Sequence, residues 1–155
     1  MDLGTTIVGA TLLVMCVGPF ILVRKKQLTK RNKKLQALHT LSQEHNCTIQ
    51  EYEFCNDFVL GIDKTKKTLF FYKQSQENTY SKIIDLQTIE ECTVVKKTRN
   101  INDRTLSLIQ LNFINASKKE NISITIYNEE TDLLISNELL VANKWSLLIN
   151  SNLKK

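Results

Sequence analysis

Apolar and polar positions follow three different rhythms along this chain. From Thr5 to Val23 the only ionisable side chain is the Cys16 thiol, an apolar run of nineteen residues. About 20 helical residues at ~1.5 Å each cross a ~30 Å hydrocarbon core, so the run predicts a transmembrane helix over 5–23 behind a short tail, 1–4. Next, "LQALHTLSQEHN" sets Leu35, Leu38 and Leu41 at steps of three among good helix formers. That spacing predicts a linker helix within 24–46 that continues the first one and packs on the domain C-terminal to it. Leu28 and Leu35 stand a heptad apart, too short a pattern for a coiled coil.

From Cys47 the rhythm shortens to two. Runs rich in Ile, Val, Thr, Phe and Tyr, separated by Asn, Asp, Lys and Ser clusters, predict seven strands: Thr48–Cys55, Phe58–Asp63, Thr68–Gln74, Tyr80–Leu86, Ile89–Lys97, Leu106–Ile114 and Ile122–Tyr127. In "NISITIYN", Ile122, Ile124 and Ile126 take one face and Ser123 and Thr125 the other. "SLIQLNFIN" separates Ile109, Leu111 and Phe113 in the same way. The polar connections "DKTKKT", "KQSQENT", "NINDR" and "ASKKEN" read as turns between antiparallel neighbours. Gly61, inside a strand pattern, marks a bulge or a tight bend.

The third rhythm closes the chain. In "ETDLLISNELLVANKWSLLINSNLKK", Leu139, Ala142, Trp145, Leu148 and Ile149 form one apolar face, with Glu138, Asn143 and Lys144 away from it. Thr131 or Asp132 is the expected cap, and Lys154 and Lys155 suit the C-terminal end. Such a helix must cover a sheet to bury its stripe.

Seven antiparallel strands and then a helix with a central tryptophan resemble the pleckstrin-homology superfold. The likeness is carried by element order over Cys47 to Asn152, by "FVLGIDKTKKTLFFY" as strand–turn–strand and by "ANKWSLLI" at the end. It implies a fold class of mainly β, α+β type: a bent sheet forming a partly open barrel over 47–155, with the last helix plugging one end. A lipocalin-like or other small barrel capped by a helix shares this texture. Phosphoinositide-binding members of the family carry cations between their first two strands. Here that loop is Cys55-Asn56-Asp57, without a cation, so the resemblance does not extend to that ligand. The cluster Lys64, Lys66, Lys67 one loop later reads as a solubilising turn.

Charge changes the picture in one place. The chain carries +5 overall, yet residues 35–155 hold fourteen Lys/Arg against fifteen Asp/Glu, a balance of −1. The excess sits in Arg24, Lys25, Lys26, Lys30, Arg31, Lys33 and Lys34, directly after the apolar run. A nucleic-acid domain carries its basic stripe on the fold itself, so no nucleic-acid partner is expected. Cations flanking a span favour the cytoplasmic side. The expectation is therefore a single-pass inner- or plasma-membrane protein, N-terminus outside, with these seven residues on anionic lipid headgroups. A cleaved signal peptide does not fit, because the leader Met1-Asp2-Leu3-Gly4 is acidic, and Met15 before Cys16 does not fit lipoprotein processing. Cys47, Cys55 and Cys92 are an odd set that suits packing in a reducing compartment, where the sequons at Asn46, Asn115 and Asn121 have no use.

Candidate chemistry is sparse. His39, His45, Cys47 and Cys55 lack the close pairs of a zinc site, and Glu90 and Glu91 alternate across a strand. With Gly61 the only glycine beyond residue 18, no phosphate loop can form. In the first helix, Thr5, Thr6, Gly9 and Ala10 are ordinary small residues of a span, and Gly18-Pro19 is expected to bend or end it. The expected protein is no enzyme and has no metal, cofactor or catalytic residue. It is a membrane-anchored protein-interaction or scaffold domain with an unidentified protein partner. The alternative is an accessory subunit of a larger membrane complex, held through its span.

Overall fold

The computed structural model describes residues 3–75, 78–99, 105–117, 121–132 and 135–153. Within the first twenty, side-chain surroundings are described at Gly4, Ile7, Val8, Ala10, Val17 and Pro19. The first element, α1, is one helix, Leu3–Glu44, with Pro19 inside it, so the helix does not end at Gly18-Pro19. Two compact units emerge, 1–36 and 37–155.

The first unit is helical throughout its described length, and Ile7, Val8, Val17, Ile21, Leu22, Val23 and Leu28 stand 47–62% exposed. Among the described residues, no helix is long and apolar enough to cross a membrane. A crossing needs an apolar window of about 20 residues, and α1 passes without a break into the cations that begin at Arg24. The expected transmembrane helix over 5–23, the single-pass location and the N-out orientation are therefore corrected. Arg24, Lys25, Lys26, Lys30, Arg31 and Lys33 are exposed, and Lys34 is buried.

The second unit opens with the last residues of α1. Asn46 adopts φ 55°, the Asn46 N–H donates to the Gln43 carbonyl and the Cys47 N–H to the Ser42 carbonyl. This left-handed cap satisfies carbonyls that the helix end would otherwise orphan. Leu38 and Cys47 then bury with Val59 and Phe70, joined by the partly buried Leu41 and Ile49, on one face of a sheet. Gly61 serves that contact. A Cβ there would lie 2.8 Å from Leu38 Cδ2 and 3.2 Å from Ile49 Cγ2, so Gly61 marks a close approach, and the pairing runs through it without a bulge.

Four strands form this sheet in the order β1 (Glu51–Cys55), β2 (Phe58–Asp63), β3 (Thr68–Ser75), β4 (Asn78–Asp85), each antiparallel to the next. β2 is buried along its whole length because both faces are covered. Phe58, Leu60 and Ile62 enter the main core, and Val59 enters the second cluster. β1 begins at Glu51 and not at Thr48. The Asp63 carboxylate takes the Thr48 N–H at 2.7 Å and draws that residue out of the ladder.

A 3₁₀ turn, Leu86–Thr88, is started by Asp85, which accepts from the Gln87 N–H. It leads to a separate sheet of β5 (Ile89–Thr98), β6 (Leu106–Asn115) and β7 (Ile122–Asn128). Ile109, Leu111, Phe113 and Ile124 enter the main core, while Gln110 and Thr125 pair on the other face at 3.1 Å. A register shift beside Ile109 places Ile126 and Tyr127 both inside, a departure from strict alternation.

The expected partly open barrel is corrected here. The strands form two sheets that are not closed, of four and three strands. Packing and side chains join them where a barrel would use a ladder. The Lys73 ammonium, on β3, lies 2.7 Å from Asp132 and 3.5 Å from Asp57, and donates to the Ile126 carbonyl of β7. Lys82 of β4 donates to the Ser123 carbonyl at 3.0 Å.

The closing helix, α2, is Glu138–Leu153. Neither Thr131 nor Asp132 caps it, because Asp132 is committed to Lys73 and to the Asn128 N–H. Lys154 and Lys155 lie outside the described residues. Ala142, Trp145 and Ile149 are buried in the main core with Val141, and Leu139 and Leu148 pack partly against it. Glu138, expected outside, is buried and receives the Asn56 amide and the Ser136 N–H.

Candidate interaction cleft

Two sheet edges flank α2, and they are built differently. At β5, the Cys92 N–H donates to Asn150 Oδ1 at 2.9 Å, and the Cys92 carbonyl accepts from Asn150 Nδ2 at 2.7 Å and Ser146 Oγ at 2.8 Å. The Asn150 amide thus occupies the place of a neighbouring strand. Burial pushes the Cys92 thiol up to about 12, the Ser146 hydrogen bond opposing, so this thiol stays protonated and inert.

At β1 the edge opens onto a cleft. The Gln74 N–H donates to the Asp57 carbonyl, which fixes the alternation along β2. Phe58, Leu60 and Ile62 turn their backbone groups to β1 and engage Cys55, Glu53 and Glu51. The backbone N–H and C=O of Tyr52 consequently point away from β2. Tyr52 is 50% exposed. The cleft holds about 310 Å³ and is lined by Gln50 to Glu53 on one side and by Lys144, Trp145 and Leu148 of α2 on the other.

Glu53 links the two walls. Its Oε2 accepts from the Trp145 indole at 2.8 Å and from Lys144 at 2.9 Å. Its neighbour on the same face, Glu51, pairs with Lys64 through Oε1 at 2.6 Å. Asp63 secures the lower end of the strand by accepting from the Thr48 and Lys66 N–H groups and from Gln50. Burial alone would raise its carboxyl, but these hydrogen bonds, with one from Thr65, outweigh it and hold Asp63 below the usual range.

On the outer side of α2, Leu140 and Leu147 are 70% and 73% exposed. With Asn143, Lys144, Leu148 and Ser151 they border an open depression of about 550 Å³ that shares Lys144 and Leu148 with the cleft. α2 is thus apolar on two sides, one buried and one presented.

Of the helix face expected from sequence, Trp145 and Leu148 reach the cleft, and Leu139, Ala142 and Ile149 serve the core alone. The basic residues Arg24 to Lys34 contribute nothing to it. Sequence reasoning missed Tyr52, Glu53, Leu140 and Leu147. The heptad spacing of Leu140 and Leu147 was a legible signal, while Glu53 had none. His39 and His45 are exposed and Cys47 and Cys55 buried. Among the described residues, no group of three or more His, Cys, Asp or Glu is placed to hold a metal. The Cys55-Asn56-Asp57 turn has Asn56 at φ 43° and is tied to Ser136 at 3.1 Å.

Comparison of the chain with known protein families, with curated proteins and with solved structures finds no match.

Proposed function

We propose that the second unit is a non-enzymatic protein-interaction module, related in element order to pleckstrin-homology domains, that receives an extended segment of a partner protein along β1. The observation that carries this reading is the contrast of edges: Asn150 fills the edge of β5, whereas β1 faces a cleft walled by α2. A segment added to β1 gains main-chain hydrogen bonds from Tyr52 and apolar contact on Leu148 and Leu147.

A photo-crosslinking residue at Tyr52 or at Leu147, in the full chain, tests it. The expected product is a partner peptide joined at both positions. That peptide, synthesised alone, then shifts the emission of Trp145, the sole tryptophan. A peptide that crosslinks but leaves Trp145 unmoved contradicts the reading.

A second reading, a subunit of a larger assembly held through α1, is favoured by the exposed Ile7, Val8, Val17, Ile21, Leu22, Val23 and Leu28. A crosslinker at Leu22 separates the two. Products at Leu22 with none at Tyr52 or Leu147 favour the assembly.

A further inference from the structure

Resting on that reading of the β1 cleft, we infer that its occupant is a basic strand, a segment with Lys or Arg at alternate positions and a large apolar side chain beside them. The argument begins with the two carboxylates of the edge. Glu51 and Glu53 are two apart on one strand and project to the same face as Cys55, which lies in the main core. Each is half engaged. Glu51 uses Oε1 for Lys64, and Glu53 uses Oε2 for both Trp145 and Lys144. Among the described residues, no donor reaches Oε1 of Glu53 or Oε2 of Glu51. A carboxylate has about four lone-pair sites, so both retain acceptor capacity toward the cleft.

Strand geometry then sets the spacing of the complement. Side chains that share a face of an added strand recur every second residue, matching Glu51 and Glu53. Opposite charges directly across a pair of strands are favourable and like charges unfavourable. An acidic segment would therefore meet two carboxylates and bring none of the donors they lack. A second copy of this chain, pairing β1 with β1, would set Glu51 or Glu53 against a carboxylate in the registers centred on Tyr52 or Glu53, and is disfavoured on the same ground. A basic segment supplies the donors. Lys144, an exposed cation at the cleft mouth, is the group it would displace from Glu53. The indole N–H keeps its hold on that carboxylate throughout. The apolar side chains between the cations turn to the opposite face, beside the half-exposed Tyr52 and its ring neighbour Phe54.

The test uses the full chain and three seven-residue peptides with Val at alternate positions. The positions between carry Lys and Arg in one peptide, Ser in the second and Glu in the third. Trp145 emission reports occupancy, because its indole is bonded to Glu53. The basic peptide is expected to bind roughly ten-fold tighter than the serine peptide, and Glu53→Gln, which keeps an acceptor for the indole, to remove most of that advantage. Glu51→Lys, an exposed change, should weaken the basic peptide and strengthen the acidic one. Added salt should erode the preference, since these pairs sit at a solvent-exposed rim. Equal binding of basic and serine peptides, or tighter binding of the acidic one, overturns the basic-strand inference and leaves β1 as the docking edge. Failure of all three to move Trp145 overturns both.

Discussion

The edges of β1 and β5 lie on either side of one helix, and α2 treats them in opposite ways. Toward β5 it turns Ser146 and Asn150, whose side chains bond the Cys92 backbone as a further strand would. Toward β1 it turns Trp145 and Lys144, which reach the Glu53 side chain and leave the strand backbone alone. An exposed edge invites pairing with another chain. A short amide is enough to close one edge, and its absence at the other leaves the Tyr52 backbone facing the cleft.

The largest effect belongs to the residue that touches both the core and the cleft. Trp145→Ala should lower unfolding free energy by about 3–5 kcal/mol, a large fraction of the ~5–15 kcal/mol of a domain, measured by urea unfolding followed by circular dichroism. An unchanged midpoint would mean that the helix does not depend on this contact, and the comparison of edges would lose its frame.

Asn150→Ala comes next. It strips a partner from the Cys92 N–H and carbonyl, a penalty of about 1–3 kcal/mol, and should accelerate hydrogen exchange of the Cys92 amide. If exchange at Cys92 is unaffected, Asn150 does not close the edge.

Acid should separate the edges without mutation. Asp63 has a depressed native carboxyl, so its stabilising contribution is present above the ordinary carboxylate value of about 3.9 and is lost as pH falls through the native value. Because Asp63 anchors the approach to β1, protection of the Thr48 and Gln50 amides, relative to unstructured amides at the same pH, should fall on that descent ahead of protection at Cys92. The gap in urea midpoint between wild type and Asp63→Asn should narrow over the same range. A gap that widens as pH falls would contradict the sign.

Lys144→Ala should be the smallest, below ~0.5 kcal/mol, because its pair with Glu53 is solvent-exposed. A loss comparable to that of Trp145→Ala would make Lys144 a structural strut and deny it to displacement.

Much of this fold was legible in local pattern. β2 starts and stops at Phe58 and Asp63 as its apolar run does, and period-two alternation assigned Ile109, Leu111, Phe113 and Ile124 to one face. Sheet closure was not legible, because strand runs alone do not state which strands pair across a gap, and Lys73 and Lys82 bridge where a ladder was expected. The apolar run of α1 suggested a membrane through length and flanking charge, properties that do not report what covers a helix. Glu138 and Asp132 were misplaced for a shared reason: polar residues enter the interior when a distant partner, Asn56 or Lys73, meets them there. Likewise the cleft depends on Glu53 meeting Trp145 across 92 residues, and no local spacing encodes that.

The most direct measurement is residue-resolved amide exchange of the full chain with and without the basic alternating peptide. Tyr52, whose backbone faces the cleft, should pass from fast to slow exchange when the peptide is added, while Cys92, held by Asn150, should be slow in both states. New protection along β5 with none at Tyr52, or fast exchange at Cys92 before any peptide is added, would contradict the assignment of Tyr52 as the open position on β1 and Cys92 as the closed one on β5.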